Sequence, residues 1–540
     1  MLRRLDVIAA PTNRRLLRFY NAGRIAAIKI YRALKIGDFQ MYVTETHAWI
    51  NRSRFVRHCY QRRLCQAPLQ QIRSRTEAHN VDLSKDGPAT GTLVSELQIS
   101  HDARVLTQST QRADEQLVRA IGIRALTANI VNSTIGAGIF ALPAAVAAQL
   151  GAASPLAYIV CAIAMCLFVT CFAIAGSRVS LTGGLYAYVE TAFGRYVGFL
   201  AGVLYFVTAI LAVSGIIGLL ATSVGGLIPP LATNVGRFLI ILFVLAFLVF
   251  INIRGVRIGA RAVQAVTLIK LAPLIVFIVA GVFFIRPEAL AWPGWPGGGT
   301  LGRSVLQLLF AFVGVEIALV PSGEVNNPAR TVPRAIFTAL GVTTLLYIAI
   351  QLVAQGVLGN DLGKYGEAGL AEAAARFLGN VGRTLMLAGL AISAFGWTTS
   401  DILSSPRIIF AFGRDGFIPK WFAHIHPRFH TPGIAIVTYA AIAFALSYSS
   451  TFQKLAILSN MAVLLLYILC CFAALVLSRR DVRSDGEPFQ FRGASVVPIV
   501  AVIVIIWILA HATRDEFAVT GAVLVVASIL YLLRIKLRRA

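Results

Sequence analysis

Acidic side chains are scarce in this 540-residue chain: 24 Asp and Glu stand against 49 Lys and Arg, and the four charged types together make up only 14% of it. Soluble globular domains carry about a quarter charged residues, so the chain has too little charge to cover a water-facing surface of its size. Cysteine is equally sparse. Cys59 and Cys65 precede the apolar part of the chain, Cys161, Cys166 and Cys171 share one apolar stretch, Cys470 and Cys471 share another, and no CxxC occurs. This spacing speaks against a redox or zinc motif and leaves the thiols as small apolar packing residues. Periodicity adds little, because helices apolar on nearly every face are the expected appearance of membrane spans, and strands at bilayer depth are not indicated.

Apolar residues are abundant, at 57% of the chain. Segments long enough to cross about 30 Å of hydrocarbon fall near 121–150, 154–176, 196–225, 233–252, 262–285, 303–326, 333–357, 383–406, 432–449, 452–478, 496–513 and 516–536. The reading is an all-α polytopic membrane protein of twelve transmembrane helices. Short cytoplasmic loops collect Lys and Arg, and alternate loops are unequal in this respect. One side holds 19, among them Arg254, Arg257 and Arg261, Arg407, Arg414, Lys420 and Arg428, and Arg534, Lys536, Arg538 and Arg539. The other holds eight, offset by Glu288, Asp361, Glu367, Glu372, Asp515 and Glu516. Both termini are therefore expected in the cytoplasm, with the protein multi-pass in the plasma (inner) membrane. The formal charge of +25 then reflects a basic inner face beside anionic lipid, and no nucleic-acid partner is expected.

Residues 1–119 differ from the rest, with 20 Lys and Arg, 10 Asp and Glu, and no apolar run of spanning length. From Arg14 to Ile36, Arg15, Arg18, Arg24, Lys29, Arg32 and Lys35 interleave with apolar residues, the pattern of a basic amphipathic helix lying on a membrane surface. Residues 66–116 read as a polar linker. The segment is expected to be a poorly ordered basic extension of a domain over 120–540, and a true translation start farther downstream is the alternative account. No cleavable signal peptide is expected.

Some patterns imitate catalytic or ligand motifs. Gly136-Ala137-Gly138-Ile139-Phe140-Ala141 fits a loose dinucleotide fingerprint but sits inside an apolar span with no preceding strand. His424, His426 and His430 have ligand-like spacing in a basic loop with no Cys or suitably placed carboxylate beside them. No enzyme activity, cofactor or metal is expected.

Two helices carry signals to break at bilayer depth. Gly136-Ala137-Gly138 interrupts the stretch from Ile121 to Leu150, and Gly314 with Pro321 interrupts that from Val305 to Val320. Unpaired backbone groups are tolerated in hydrocarbon only where protein or a polar cavity satisfies them. Paired discontinuous helices place helix N-termini toward anionic groups and freed carbonyls toward cations, so two breaks point to one binding site. Ionisable residues inside spans are costly enough to be functional candidates. Lys270, in the fifth, is too deep to snorkel; it is either a proton carrier or a fixed cross-link to a broken helix. Glu316, beside the second break, would attract an ammonium group if charged and hydrogen-bond as an acid if neutral. Asp401 lies nearer the cytoplasmic end of its span, with Arg407 as a candidate structural partner.

Three stretches carry a family resemblance over residues 120–540. They are Asn132 to Pro143; Phe312-Val313-Gly314-Val315-Glu316 with Gly323 to Pro328 and Pro333-Arg334-Ala335; and Ser405 to Pro419, with Arg407, Arg414-Asp415-Gly416 and Pro419. The chain resembles the amino acid–polyamine–organocation (APC) superfamily, of which amino acid permeases are members. That resemblance implies a leucine-transporter-type fold of 5+5 inverted repeats plus two C-terminal helices, and secondary transport of an amino acid or polyamine by alternating access. It implies a substrate carboxylate at Ile135, Gly136, Ala137 and Gly138, and an ammonium group at the carbonyls of Phe312, Val313, Gly314 and Val315. Tyr205, Phe310 and Trp397 match aromatic positions around the pocket. Ala137 stands where many relatives have Ser, so backbone N–H groups alone would meet the carboxylate. Lys270 matches a lysine of proton-coupled members and Glu316 an acid of the antiporter branch, implying proton coupling by symport or antiport. An exchanger, or a transport-inactive sensor of the same fold, is the alternative; the substrate and the oligomeric state stay open.

Overall fold

The computed structural model describes residues 122–179, 184–255, 260–316, 325–482 and 488–539. The basic arm, with its expected surface helix and linker, lies outside the described residues, as do Pro321, Gly323 and Glu324. Regular structure among the described residues is helical throughout.

Helix α1 (Ile123–Thr134) ends where α2 (Gly138–Leu150) has yet to begin, and together they occupy the first apolar segment. Helix α3 (Ser154–Gly176) follows, then a short α4 (Leu185–Phe193), the 33-residue α5 (Arg195–Leu227), α6 (Asn234–Ile253) and α7 (Ala260–Gly281). Helix α8 (Gly298–Leu308) tightens into a 3-10 turn over Leu309–Ala311 and then stops. The chain continues through α9 (Pro328–Leu358), α10 (Gly369–Ser404), α11 (Pro406–Arg414), α12 (Gly433–Ser449), α13 (Phe452–Arg479), α14 (Val497–Leu509) and α15 (Arg514–Arg539).

Local chemistry accounts for these limits. Thr233 accepts a hydrogen bond from Gly236 N–H at 3.0 Å and caps α6, and Thr451 caps α13 in the same way. Glycines in left-handed conformations follow α2, α4 and α9 at Gly151, Gly194 and Gly359. By length and composition, six described stretches suit a bilayer crossing: Gly138–Gly176, Arg195–Leu227, Asn234–Ile253, Arg330–Arg414, Phe452–Arg479 and Arg514–Ile535. Ile269–Phe284, Gly433–Ser449 and Val497–Leu509 are shorter apolar helices. The chain is an integral membrane protein.

Burial is graded across the helices. Helix α5 packs against α10 and α13, and α9 against α1 and α3. The window of α15 is only 11% buried, whereas that of α5 is 72% buried. Phe243 and Leu345 turn outward, as expected of residues facing lipid. Two features differ from the sequence reading. Ahead of the span expected from residue 383, a helical stretch from Gly369 joins the rest of α10 across a kink at Gly379, where φ is +61°. The loop expected over 405–419 contains α11, a short amphipathic helix started by Pro406.

Candidate binding site at two helix breaks

The first break begins with side chains that compete for helix bonds. Ser133 Oγ donates to Asn129 O and Thr134 Oγ1 to Ile130 O, each at 2.8 Å, a back-bonding pattern that weakens and bends helices. Ile135 then leaves the helical region, with φ −75° and ψ 87°. In a continuing helix the Gly136 N–H would bond Asn132 O. It turns to Thr134 O instead, at 2.9 Å. The release leaves Asn132 O to accept from Lys270 Nζ at 2.6 Å. Thus Lys270, buried in α7, reaches the broken helix at this carbonyl.

The second break is assembled in the same manner. Phe312 N–H and Val313 N–H both donate to Leu309 O. Gly314, at φ +117°, takes a conformation that side chains disfavour. Its N–H, which a continuing helix would give to Phe310 O, donates to Glu316 Oε2 at 3.0 Å. Tyr467 of α13 donates to that same oxygen at 2.9 Å, so one carboxylate oxygen of the buried Glu316 already receives two donors. Asn460, one helical face along α13, donates from Nδ2 to Leu306 O at 2.7 Å and steadies the end of α8.

The two breaks meet. A Cβ added to Gly314 would stand 2.7 Å from Ser133 O. The Tyr347 hydroxyl of α9 lies 3.0 Å from Thr134 O and 2.8 Å from Ala311 O, one carbonyl of each break. Gln149 and Gln307, joined at 2.7 Å, link the outer halves α2 and α8, and Ser304 donates to Gln149 Oε1 at 3.0 Å.

The anticipated residues are placed unevenly around this junction. Gly136 faces Trp397, whose Cδ1 lies 3.8 Å from the site of an added Cβ, and Gly138 faces Phe310 Cδ1 at 3.1 Å. Both aromatic residues therefore flank the first break. Phe310 also meets Phe452 edge to face, with ring centroids 5.3 Å apart. Phe312 turns into the core against Tyr347, at 5.2 Å, and Ile135, Ala137 and Val315 are buried. Val313 is half-buried. Tyr205 is half-buried on α5. Of the amides assigned to the carboxylate, that of Gly136 is committed to Thr134 O, while those of Ala137 and Gly138 have no backbone acceptor among the described residues.

Asp401 requires a correction. Its oxygens accept from Ser405 Oγ at 2.6 Å and from the Tyr439 hydroxyl at 2.7 Å, rather than from Arg407. One helical turn brings Ser405 back over Asp401, whereas Arg407, six residues on, belongs to α11. In the basic loop, His426 Nδ1 accepts from the N–H groups of Arg428 and Phe429, so it shapes the turn. Sequence reasoning missed Tyr347, Tyr439, Asn460 and Tyr467. They are neutral, and only a search for hydroxyl and amide groups inside apolar helices would have found them.

Comparison with known proteins places the chain among transporters by sequence. Residues 121–533 match the amino acid permease family. The chain is 29% identical over 404 residues to a serine/threonine exchanger of Bacillus subtilis, covering 72% of this chain and 90% of the relative. It is 25% identical over 417 residues to a branched-chain amino acid permease of the same organism, covering 72% and 87%. A methylthioribose transporter from that bacterium is 28% identical over 426 residues, covering 74% and 90%.

Proposed function

The chain belongs to the amino acid permease family of the APC superfamily, and from that premise we propose that it carries a neutral L-amino acid across the plasma membrane by proton-coupled alternating access. The observation that carries this reading is the meeting of two helix breaks at Tyr347, whose hydroxyl lies against one carbonyl of each. The α-carboxylate would sit on the amides of Ala137 and Gly138 at the positive start of α2. The α-ammonium would sit on carbonyls over residues 312–315, with Phe310 and Trp397 closing around the side chain.

Neutral substrates are favoured over cationic ones because Oε2 of Glu316 is occupied by Gly314 and Tyr467, which leaves only part of that carboxylate for a second positive group. The names of the serine/threonine and branched-chain relatives support the same class. In this reading the helices make twelve crossings, α1 to α7 and α8 to α13 form two inverted repeats, and both termini are cytoplasmic. Lys270 changes charge during the cycle, releasing and regaining its hold on Asn132 O as α1 moves. The arm over 1–119 is an appendage without a share in the site.

Exchange is the second reading, favoured by the likeness to the serine/threonine exchanger. Purified protein in proteoliposomes separates these possibilities. Uptake of serine, threonine, valine, leucine or isoleucine into empty vesicles, increased by an inward proton gradient, supports coupled symport. Uptake only into preloaded vesicles makes the protein an exchanger. Saturable binding without any flux makes it a sensor and rejects the transport reading.

A further inference from the structure

Helix α9 carries polar residues at every fourth position, Thr343, Tyr347, Gln351 and Gln355, in otherwise apolar surroundings. All four are at most 1% exposed. Their spacing lays them along one slowly winding face about 18 Å long. Tyr347 serves the two helix breaks, but both polar atoms of Gln351, both of Gln355 and the Thr343 hydroxyl have no protein partner. The hydroxyl of Tyr158, on α3 and wholly buried, is unpartnered as well. Helix α3, which carries Tyr158, packs directly against α9.

We propose that this face of α9, closed by Tyr158 of α3, is an internal binding site for a file of water molecules that leads from the end of α9 to the junction at Tyr347. Buried amide groups are almost always hydrogen-bonded, and two complete glutamine side chains without partners on one face require an occupant that donates and accepts equally. Water does both, and it settles where several polar groups converge.

The surroundings select a neutral occupant. Helix α3, which packs most extensively against α9, contains no charged residue, so an ion held between them would lack a counter-charge from α3 in a low-dielectric core. Toward its end the face also turns away from the last turn of α7. A Cβ on Gly281 of α7 would meet Val353 at 2.4 Å, and one on Gly356 would meet Ile285 at 2.7 Å. Residues advance about 100° each around a helix, which sets Gln351 and Gln355 on the side broadly opposite Val353 and Gly356. The file thus runs along the side of α9 away from the end of α7 and meets the junction only at Tyr347, and the inference stands whether or not the protein transports.

Radiolytic labelling of the full chain in proteoliposomes, using brief X-ray irradiation in oxygen-18 water and mass spectrometry, tests this directly. Tyr158 and Tyr347 are expected to acquire the heavy isotope despite their burial, as Trp295 does at 82% exposure. Gln351→Leu and Gln355→Leu, each checked for insertion and monodispersity, are expected to lose the label on Tyr158 and to retain it on Trp295. Wild-type protein labelled at Trp295 but at neither tyrosine overturns the proposal without recourse to any variant. Label persisting on Tyr158 in both variants overturns the assignment of the water to this face.

Discussion

The place where a Cβ of Gly314 would stand is 2.7 Å from the carbonyl oxygen of Ser133, so the second helix break closes on the first with no room for a side chain. Ser133 O is itself exposed by the first break, because the Ala137 N–H that would bond it in a continuing helix is displaced. Gly314→Ala therefore meets two obstacles. Its φ of +117° is unfavourable for alanine, at a cost of about 1–3 kcal/mol, and its methyl group drives the breaks apart. A lower melting temperature in detergent and loss of substrate-induced thermal stabilisation are expected. A variant that melts and binds as the wild type does would show that the breaks need not touch.

Tyr347→Phe retains the ring beside Phe312 and removes only the hydroxyl shared by Thr134 O and Ala311 O. Leaving buried carbonyls without a donor costs about 1–3 kcal/mol. The expected result is a lowered melting temperature with insertion intact, together with weaker substrate binding, since the relative placement of the breaks depends on that hydroxyl. Isothermal titration of purified protein reads the affinity, and an unchanged value would assign Tyr347 to stability alone.

Gly138 stands against Phe310, whose Cδ1 would be 3.1 Å from an added Cβ. Gly138→Ala should weaken binding and Gly138→Val should abolish it, because the branched side chain obstructs close approach to the backbone. If crowding of Phe310 is the cause, the double variant Gly138→Ala/Phe310→Leu should recover part of the affinity lost by Gly138→Ala. Additive losses in that cycle would instead mean that the glycine acts through its backbone alone.

Deletion of residues 1–110 should leave flux within about twofold of the full chain, because every residue named at the junction lies beyond Asn129 and independent sites contribute separately. Loss of flux by a normally inserted truncation would give the basic arm a working role.

The legibility of the chain follows the cost of what it buries. Breaks at Gly136 and Gly314 were readable from the motifs around them, Gly136-Ala137-Gly138 and Gly314 with Glu316 and Pro321, rather than from glycine alone, which α5 carries without a break, and Lys270 and Glu316 because charge there is expensive. The partners were not. Tyr347, Tyr467 and Asn460 resemble ordinary residues of apolar helices until the fold brings them against carbonyls or a carboxylate far away in sequence. The choice of Arg407 for Asp401 shows the same limit: opposite charge six residues away was visible, but the start of α11 and the approach of Tyr439 were not. Likewise, the commitment of the Gly136 amide to Thr134 O depends on the local turn, which glycine permits without specifying it.

Lys270 offers the most discriminating test of coupling. Its ammonium group holds Asn132 O at 2.6 Å, a carbonyl that the Gly136 amide has given up for Thr134 O. Lys270→Ala should eliminate uphill accumulation driven by a pH gradient while preserving some downhill exchange, since the cleft residues are unchanged. Lys270→Arg should fail as well: a guanidinium stays protonated and is bulkier, so it can supply a fixed positive charge but cannot release a proton. Glu316→Gln should be milder, because the amide oxygen can still accept from Gly314 and Tyr467. The measurement is substrate uptake in proteoliposomes under imposed pH gradients, with folding followed separately by thermal unfolding. If Lys270→Ala concentrates substrate with the pH dependence of the wild type, the amine is a structural cross-link and coupling resides elsewhere. If only Lys270→Arg retains accumulation, a fixed charge at Asn132 suffices and proton release by this side chain is excluded.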